Sequence, residues 1–209
     1  MPIKYSCFIS YKGGDAATEE ARDFHSSLGR ELPKWTSFPI FRDETRINGG
    51  DKLDPTLAHA LCESACMVMI YTPSYFDRAS TWCAREFMAM EFLESKRLKT
   101  IGRRIDTHGL IIPLVYRGWE YFPDIIKTRH SYNFESSVYG KSYMDSKEYI
   151  DAVKKIAEYI SLRCNELDFT NKDLYKDCSK FELPPADESW LSDMLTLKQG
   201  FPLRRRRKS

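Results

Sequence analysis

Trp82 and Glu86 stand four residues apart in the run Ser80-Thr81-Trp82-Cys83-Ala84-Arg85-Glu86-Phe87. On a helix that spacing stacks them on one face. Cys83, Phe87 and Met90 then fall on the adjacent, buried face, and Ser80 is placed to cap the helix. A carboxylate at the rim of a core, beside an aromatic ring, is equipped to steady a sugar-derived cation, the charge logic of glycoside cleavage. The plain alternative is a solvated Glu favoured by the helix dipole, beside a Trp that only packs. Cys83 reads better as a small buried hydrophobe than as a nucleophile.

Other residues with chemical potential follow apolar runs. Ser10, Tyr11 and Lys12 close the first such run, just before Gly13-Gly14. Phe41-Arg42 opens a polar loop that contains Arg46 and ends at Gly49-Gly50-Asp51. Arg42 and Arg46 are either phosphate contacts or solvated loop charges. Gly13-Gly14 is not a G-x-G-x-x-G fingerprint, and no G-x-x-x-x-G-K-[ST] loop exists, so the usual nucleotide cradles are absent. No metal site is expected: the four histidines are scattered and there is no C-x-x-C. Six cysteines at this low density, with no secretory signal at the N-terminus, predict reduced thiols and a cytoplasmic location. Lys+Arg 32 against Asp+Glu 30 gives +2, which argues against a dedicated nucleic-acid binder. No apolar run approaches the roughly 18 residues that a membrane span needs. The terminal Arg204–Lys208 run is read as solvated, its alternative being contact with nucleic acid or an acidic partner.

The elements that must position these residues can be read from periodicity. Apolar runs at Ser6–Ser10, Phe38–Phe41, Cys66–Tyr71 and Leu110–Val115 predict strands, with Ser131–Phe134 as an edge strand. Between them lie helical patterns. One follows Thr18-Glu19-Glu20, carries Ala21, Phe24, Leu28 and Leu32, and is stopped by Pro33. A second starts at Asp54-Pro55, with Asp as cap. A third runs from Trp82 to about Lys96. A fourth carries Tyr149, Val153, Ile156 and Ile160 at helical spacing. The alternation predicts an α/β chain, a flavodoxin-like three-layer fold with a five-stranded parallel sheet and helices on both faces. Ligands in such sheets bind beyond the C-terminal strand ends, where Ser10 to Gly14, Phe41 to Gly50 and Tyr71 to Trp82 are expected to lie. A receiver domain shares this class but needs an Asp ending the third strand, which here ends Ile70-Tyr71-Thr72. A domain over residues 1–163 and an extension over 164–209 are expected, the latter with a short helix near Trp190–Leu197.

On these residues the chain resembles a TIR (Toll/interleukin-1 receptor) domain. Phe8-Ile9-Ser10-Tyr11 is similar to the family's first box. Phe41-Arg42-Asp43 through Gly49-Gly50-Asp51 is similar to its BB loop. Ser74-Tyr75 and the Ser80–Phe87 run are similar to the stretch that opens its third helix. The Trp-Cys-x-x-Glu form is typical of members that cleave NAD+ at the nicotinamide–ribose bond. The resemblance implies Glu86 as the catalytic carboxylate. It implies Ser10, Tyr11, Lys12, Phe41, Arg42, Arg46, Trp82 and Cys83 as substrate-binding residues, with Trp82 facing nicotinamide. NAD+ is the implied substrate, and no cofactor or metal is required. It further implies a stand-alone prokaryotic, Thoeris-like protein of antiphage defence. Such a protein makes an ADP-ribose-derived signal for a separate effector and self-associates through TIR–TIR contacts. Two other readings stay open: a non-catalytic adaptor working through the BB loop, and a nucleoside-processing hydrolase of similar topology.

Overall fold

A computed structural model describes residues 3–14, 17–42, 53–77, 81–103, 108–135, 143–169 and 178–185. The strands are β1 (Tyr5–Tyr11), β2 (Ser64–Tyr71), β3 (Ile111–Val115) and β4 (Tyr132–Asn133), hydrogen-bonded in that order and parallel throughout. All eight residues of β2 are buried, as a central strand covered on both faces requires. The helices are α1 (Ala17–Glu31), α2 (Leu53–Cys62), α3 (Trp82–Thr100), α4 (Asp124–Lys127) and α5 (Lys147–Phe169). Helices α1 and α5 pack together and onto β1 and β2, while α2 packs against α3 and both meet β1.

The expected α/β class and parallel sheet are present, with one strand fewer than expected among the described residues. The Phe38–Phe41 segment makes a single bridge, Phe41 to Phe8. The Phe41 N–H donates to Cys7 O at 2.8 Å, and Pro39 O accepts from the Ser6 N–H at 2.9 Å. Pro39 has no N–H to give, so the pairing does not grow into a ladder. The segment still occupies the fifth position, beside β1.

Local sequence explains the rest. Ala17, Ala21, Phe24 and Leu28 form the buried face of α1, and Glu19 and Glu20 make its first turn acidic. Thr18 lies inside this helix, where its hydroxyl accepts the Gly14 N–H at 3.2 Å. Beyond Glu31 the chain tightens into a 3₁₀ turn that contains Pro33. Helix α2 begins at Leu53, so Asp54 is in its first turn rather than at the cap. Helix α3 runs a turn past the expected Lys96. Ser80, its expected cap, lies outside the described residues. So do the expected Trp190–Leu197 helix and the Arg204–Lys208 run. Tyr149, Val153, Ile156 and Ile160 are all buried on α5. That helix continues without a break through residue 163, and Cys164 and Leu167 are buried too.

The expectation of reduced thiols throughout is corrected. Cys62, at the end of α2, is disulfide-bonded to Cys178, with Cα atoms 5.6 Å apart. The partners are 116 positions apart, so no short-range spacing could announce the pair. Cys7, Cys66, Cys83 and Cys164 are free and buried. No helix among the described residues is long and apolar enough to cross a membrane.

Candidate active site

Three chain segments meet at the C-terminal end of the sheet. β1 delivers Ser10, the turn after β2 delivers Tyr75, and the first turns of α3 deliver Trp82, Cys83 and Glu86. Glu86 is buried at 6% exposure. The Ser10 hydroxyl donates to Glu86 Oε2 at 2.6 Å and lies 2.5 Å from the Tyr75 hydroxyl. A serine has one proton to give. Since it goes to the carboxylate, the Tyr75 phenol donates to Ser10. The carboxylate is thus the end of a two-step chain of donors.

The surroundings are apolar and aromatic. Tyr75 packs edge-on against Phe76, and Phe76 in turn against Phe87 of α3. Tyr71 meets Phe122 with ring centroids 4.8 Å apart. Low polarity strengthens each electrostatic contact of the carboxylate. It also holds neighbouring acids neutral. Burial first, and then the neighbouring Cys83 and Glu86, push the Tyr75 phenol well above its ordinary range. Burial and then Glu86 do the same to the Cys83 thiol, against a smaller opposing effect of Lys12. A thiol held protonated is a poor nucleophile, so Cys83 serves this site as a small apolar wall.

The other expected residues are placed as follows. Tyr11 and Lys12 are half-buried at the end of β1. Trp82 is half-buried and packs against the core. The Arg85 guanidinium lies over its indole, 5.1 Å from the ring centroid. Phe41 is 2% exposed and stacked on Phe8. Arg42, next to it, is buried. Arg46 lies outside the described residues. Among the described residues no group of three or more His, Cys, Asp or Glu is placed to hold a metal ion.

The rim is fixed by contacts that sequence reading did not single out. Arg117, after β3, pairs with buried Glu20 of α1 at 2.8 Å. Glu135 accepts the Gly118 N–H at 2.7 Å and the Trp119 N–H at 3.2 Å. Gly118 has φ 72, and a Cβ there would lie 2.5 Å from Cγ of Pro73. The loops after β2 and β3 therefore touch at a point only glycine allows. A separate cavity of about 510 Å³ adjoins β3, Glu94 and Arg129, and its lining does not include Glu86.

The family model described as TIR domain matches residues 7–145, well over half of the chain. This chain belongs to the TIR domain family. The chain is 29% identical over 110 residues to a protein named probable 2' cyclic ADP-D-ribose synthase BdTIR, from Brachypodium distachyon. The alignment covers 53% of this chain and 46% of that protein. The chain thus spans about half the length of the curated relative it matches. Tyr75 belongs to the Ser74-Tyr75 box that carries the family resemblance, yet its contact with Ser10 is visible only in the folded TIR domain.

Proposed function

We propose that this TIR domain cleaves the N-glycosidic bond between nicotinamide and ribose in NAD+, with Glu86 as the catalytic carboxylate. The observation that carries the reading is a buried Glu86 at the sheet's C-terminal end, held by Ser10 and Tyr75. The C1′–N bond breaks with its electron pair passing to the nicotinamide ring. The pyridinium leaves as a neutral molecule and needs no general acid. The ribose is left as an oxocarbenium-like cation, which Glu86 stabilises. A nucleophile then bonds to C1′ and gives up its proton. Water yields ADP-ribose, whereas a group of the same ADP-ribose yields a cyclic isomer. The name of the Brachypodium relative makes a cyclic product the first to seek. Trp82 offers its indole to the leaving ring, and Tyr11 and Lys12 line the entrance. Self-association, a separate effector that reads the product, and a cytoplasmic role in antiviral defence complete the proposal.

The test is nicotinamide release from NAD+ by the concentrated pure protein, with products identified by mass spectrometry. Wild type is expected to release nicotinamide together with an ADP-ribose species. Glu86→Ala should lose roughly 100-fold or more of that rate, the scale of a lost transition-state contact. Equal turnover by both proteins would remove Glu86 from the mechanism. No turnover by wild type would overturn the enzymatic reading.

A further inference from the structure

Cys178–Pro185 lies beyond the part of the chain that the family model matches, yet it is tied to α3, which carries Trp82 and Glu86, and to α2 packed beside it. At one end Cys178 is bonded to Cys62, at the C-terminus of α2. At the other, Arg85 Nε donates to Pro184 O at 2.7 Å and Arg85 Nη2 to Leu183 O at 3.3 Å. The same Nη2 reaches both oxygens of Asp54, in the first turn of α2, at 3.2 and 3.0 Å. Between the ends, Phe181 and Leu183 are buried. The segment therefore runs along α2 and is fastened at both of its ends.

Arg85 is the clasp of this arrangement. It immediately precedes Glu86, and its guanidinium covers the Trp82 indole. One planar fork holds two carbonyls and a carboxylate, while its face stacks on a ring. A lysine ammonium, a point charge with no face, cannot do both. With every partner in place, the guanidinium has one position and the indole beneath it loses freedom.

We propose that Arg85 is a positioning residue for the Trp82–Glu86 turn, and that Cys178–Pro185 is the strap that fixes Arg85. The proposal rests on the active-site reading above. It makes Cys178–Pro185 part of the catalytic apparatus through its hold on Arg85. Small misplacements of reacting groups are costly in rate, so a loosened clasp is read in kcat.

The experiment uses the full chain as wild type, Arg85→Ala, Arg85→Lys, Cys178→Ser and the Arg85→Ala/Cys178→Ser double variant. Nicotinamide release and amide hydrogen exchange over residues 82–86 are measured on each. Arg85→Ala should lower kcat roughly tenfold and quicken exchange in that turn. Arg85→Lys should restore only part of the rate. Cys178→Ser should shift both readouts in the same direction. The double variant should be no worse than Arg85→Ala, because both changes act through one contact. A lower melting temperature with unchanged kcat and unchanged exchange at 82–86 would show a merely structural tie and overturn the proposal. So would additive losses in the double variant. If wild type proves inactive on NAD+, the enzymatic reading fails by itself. The exchange measurements then decide the strap: quickening in Arg85→Ala and Cys178→Ser supports it, and unchanged exchange overturns it.

Discussion

Ser10 stands between a carboxylate that it donates to and a phenol that donates to it. Removing its hydroxyl takes this donor from Glu86 and leaves the Tyr75 hydroxyl buried without this acceptor. Removing the Tyr75 hydroxyl takes away only the outer donor. Ser10→Ala is therefore expected to reduce nicotinamide release by roughly 10- to 100-fold, and Tyr75→Phe by less than about tenfold. Steady-state kinetics on NAD+ checks the order, and a larger loss in Tyr75→Phe would refute the relay. At this scale the sequence was partly legible. The four-residue spacing of Trp82 and Glu86 places them on one helical face, and the apolar spacing of Cys83, Phe87 and Met90 sets that face at the rim of the core. Ser10 was assigned to the same end of the sheet because it closes β1. Its bond to Glu86 was not readable, because the two lie 76 positions apart and only folding brings them together. Phe41, which the resemblance implies as substrate-binding, has its ring stacked on Phe8 in the core, a contact that the sequence does not announce.

Helix α3 carries both Glu86 and, about three turns further on, a second anchor. Arg97 is 1% exposed. It donates through Nη1 to Ser64 O at 2.6 Å and through Nη2 to Cys62 O. These carbonyls lie at the end of α2 and the start of β2. The guanidinium therefore caps the negative end of α2 and fixes α3 against the central strand. Burial pushes its pKa down to about 10, so it stays charged at neutral pH. Arg97→Met would leave both carbonyls without this donor, at a cost of about 2–4 kcal/mol. Urea unfolding monitored by circular dichroism measures the loss, and a change under about 0.5 kcal/mol, the size of an ordinary surface substitution, would contradict the capping role. Periodicity gives the face of Arg97 but cannot say which carbonyls that face meets. Pro39 was likewise visible, but its effect on the neighbouring ladder was under-weighted against an apolar run of strand-forming residues.

Across the whole molecule, burial holds an unusual set of weak acids neutral. Desolvation is the largest cause for each of Cys7, Cys66, Cys83, Tyr71, Tyr75 and Tyr116, all raised, and for Cys164, raised to about 12. In the unfolded chain the thiols ionise from about pH 8.5 and the phenols from about pH 10. Above those values the unfolded state binds fewer protons than the folded one, so stability falls as pH rises. Each such group contributes about 1.4 kcal/mol per pH unit until its folded pKa is reached. The urea midpoint is thus expected to drop markedly between pH 8 and pH 10, and an unchanged midpoint would show that these groups are accessible. The α/β class and the parallel sheet were legible at this scale because buried strands and amphipathic helices alternate so plainly. The disulfide was not, since pairing depends on a meeting of Cys62 and Cys178 that composition and compartment arguments do not see. The continuity of α5 bears on how the protein can be divided. A fragment cut at residue 163 would sever one helix, stripping Cys164 and Leu167 from the interior and Glu166 from its pairings with Arg103 and Arg163. Chimeras that graft this TIR domain onto another protein should therefore place their junction after Pro185, so that the graft carries its own fastening.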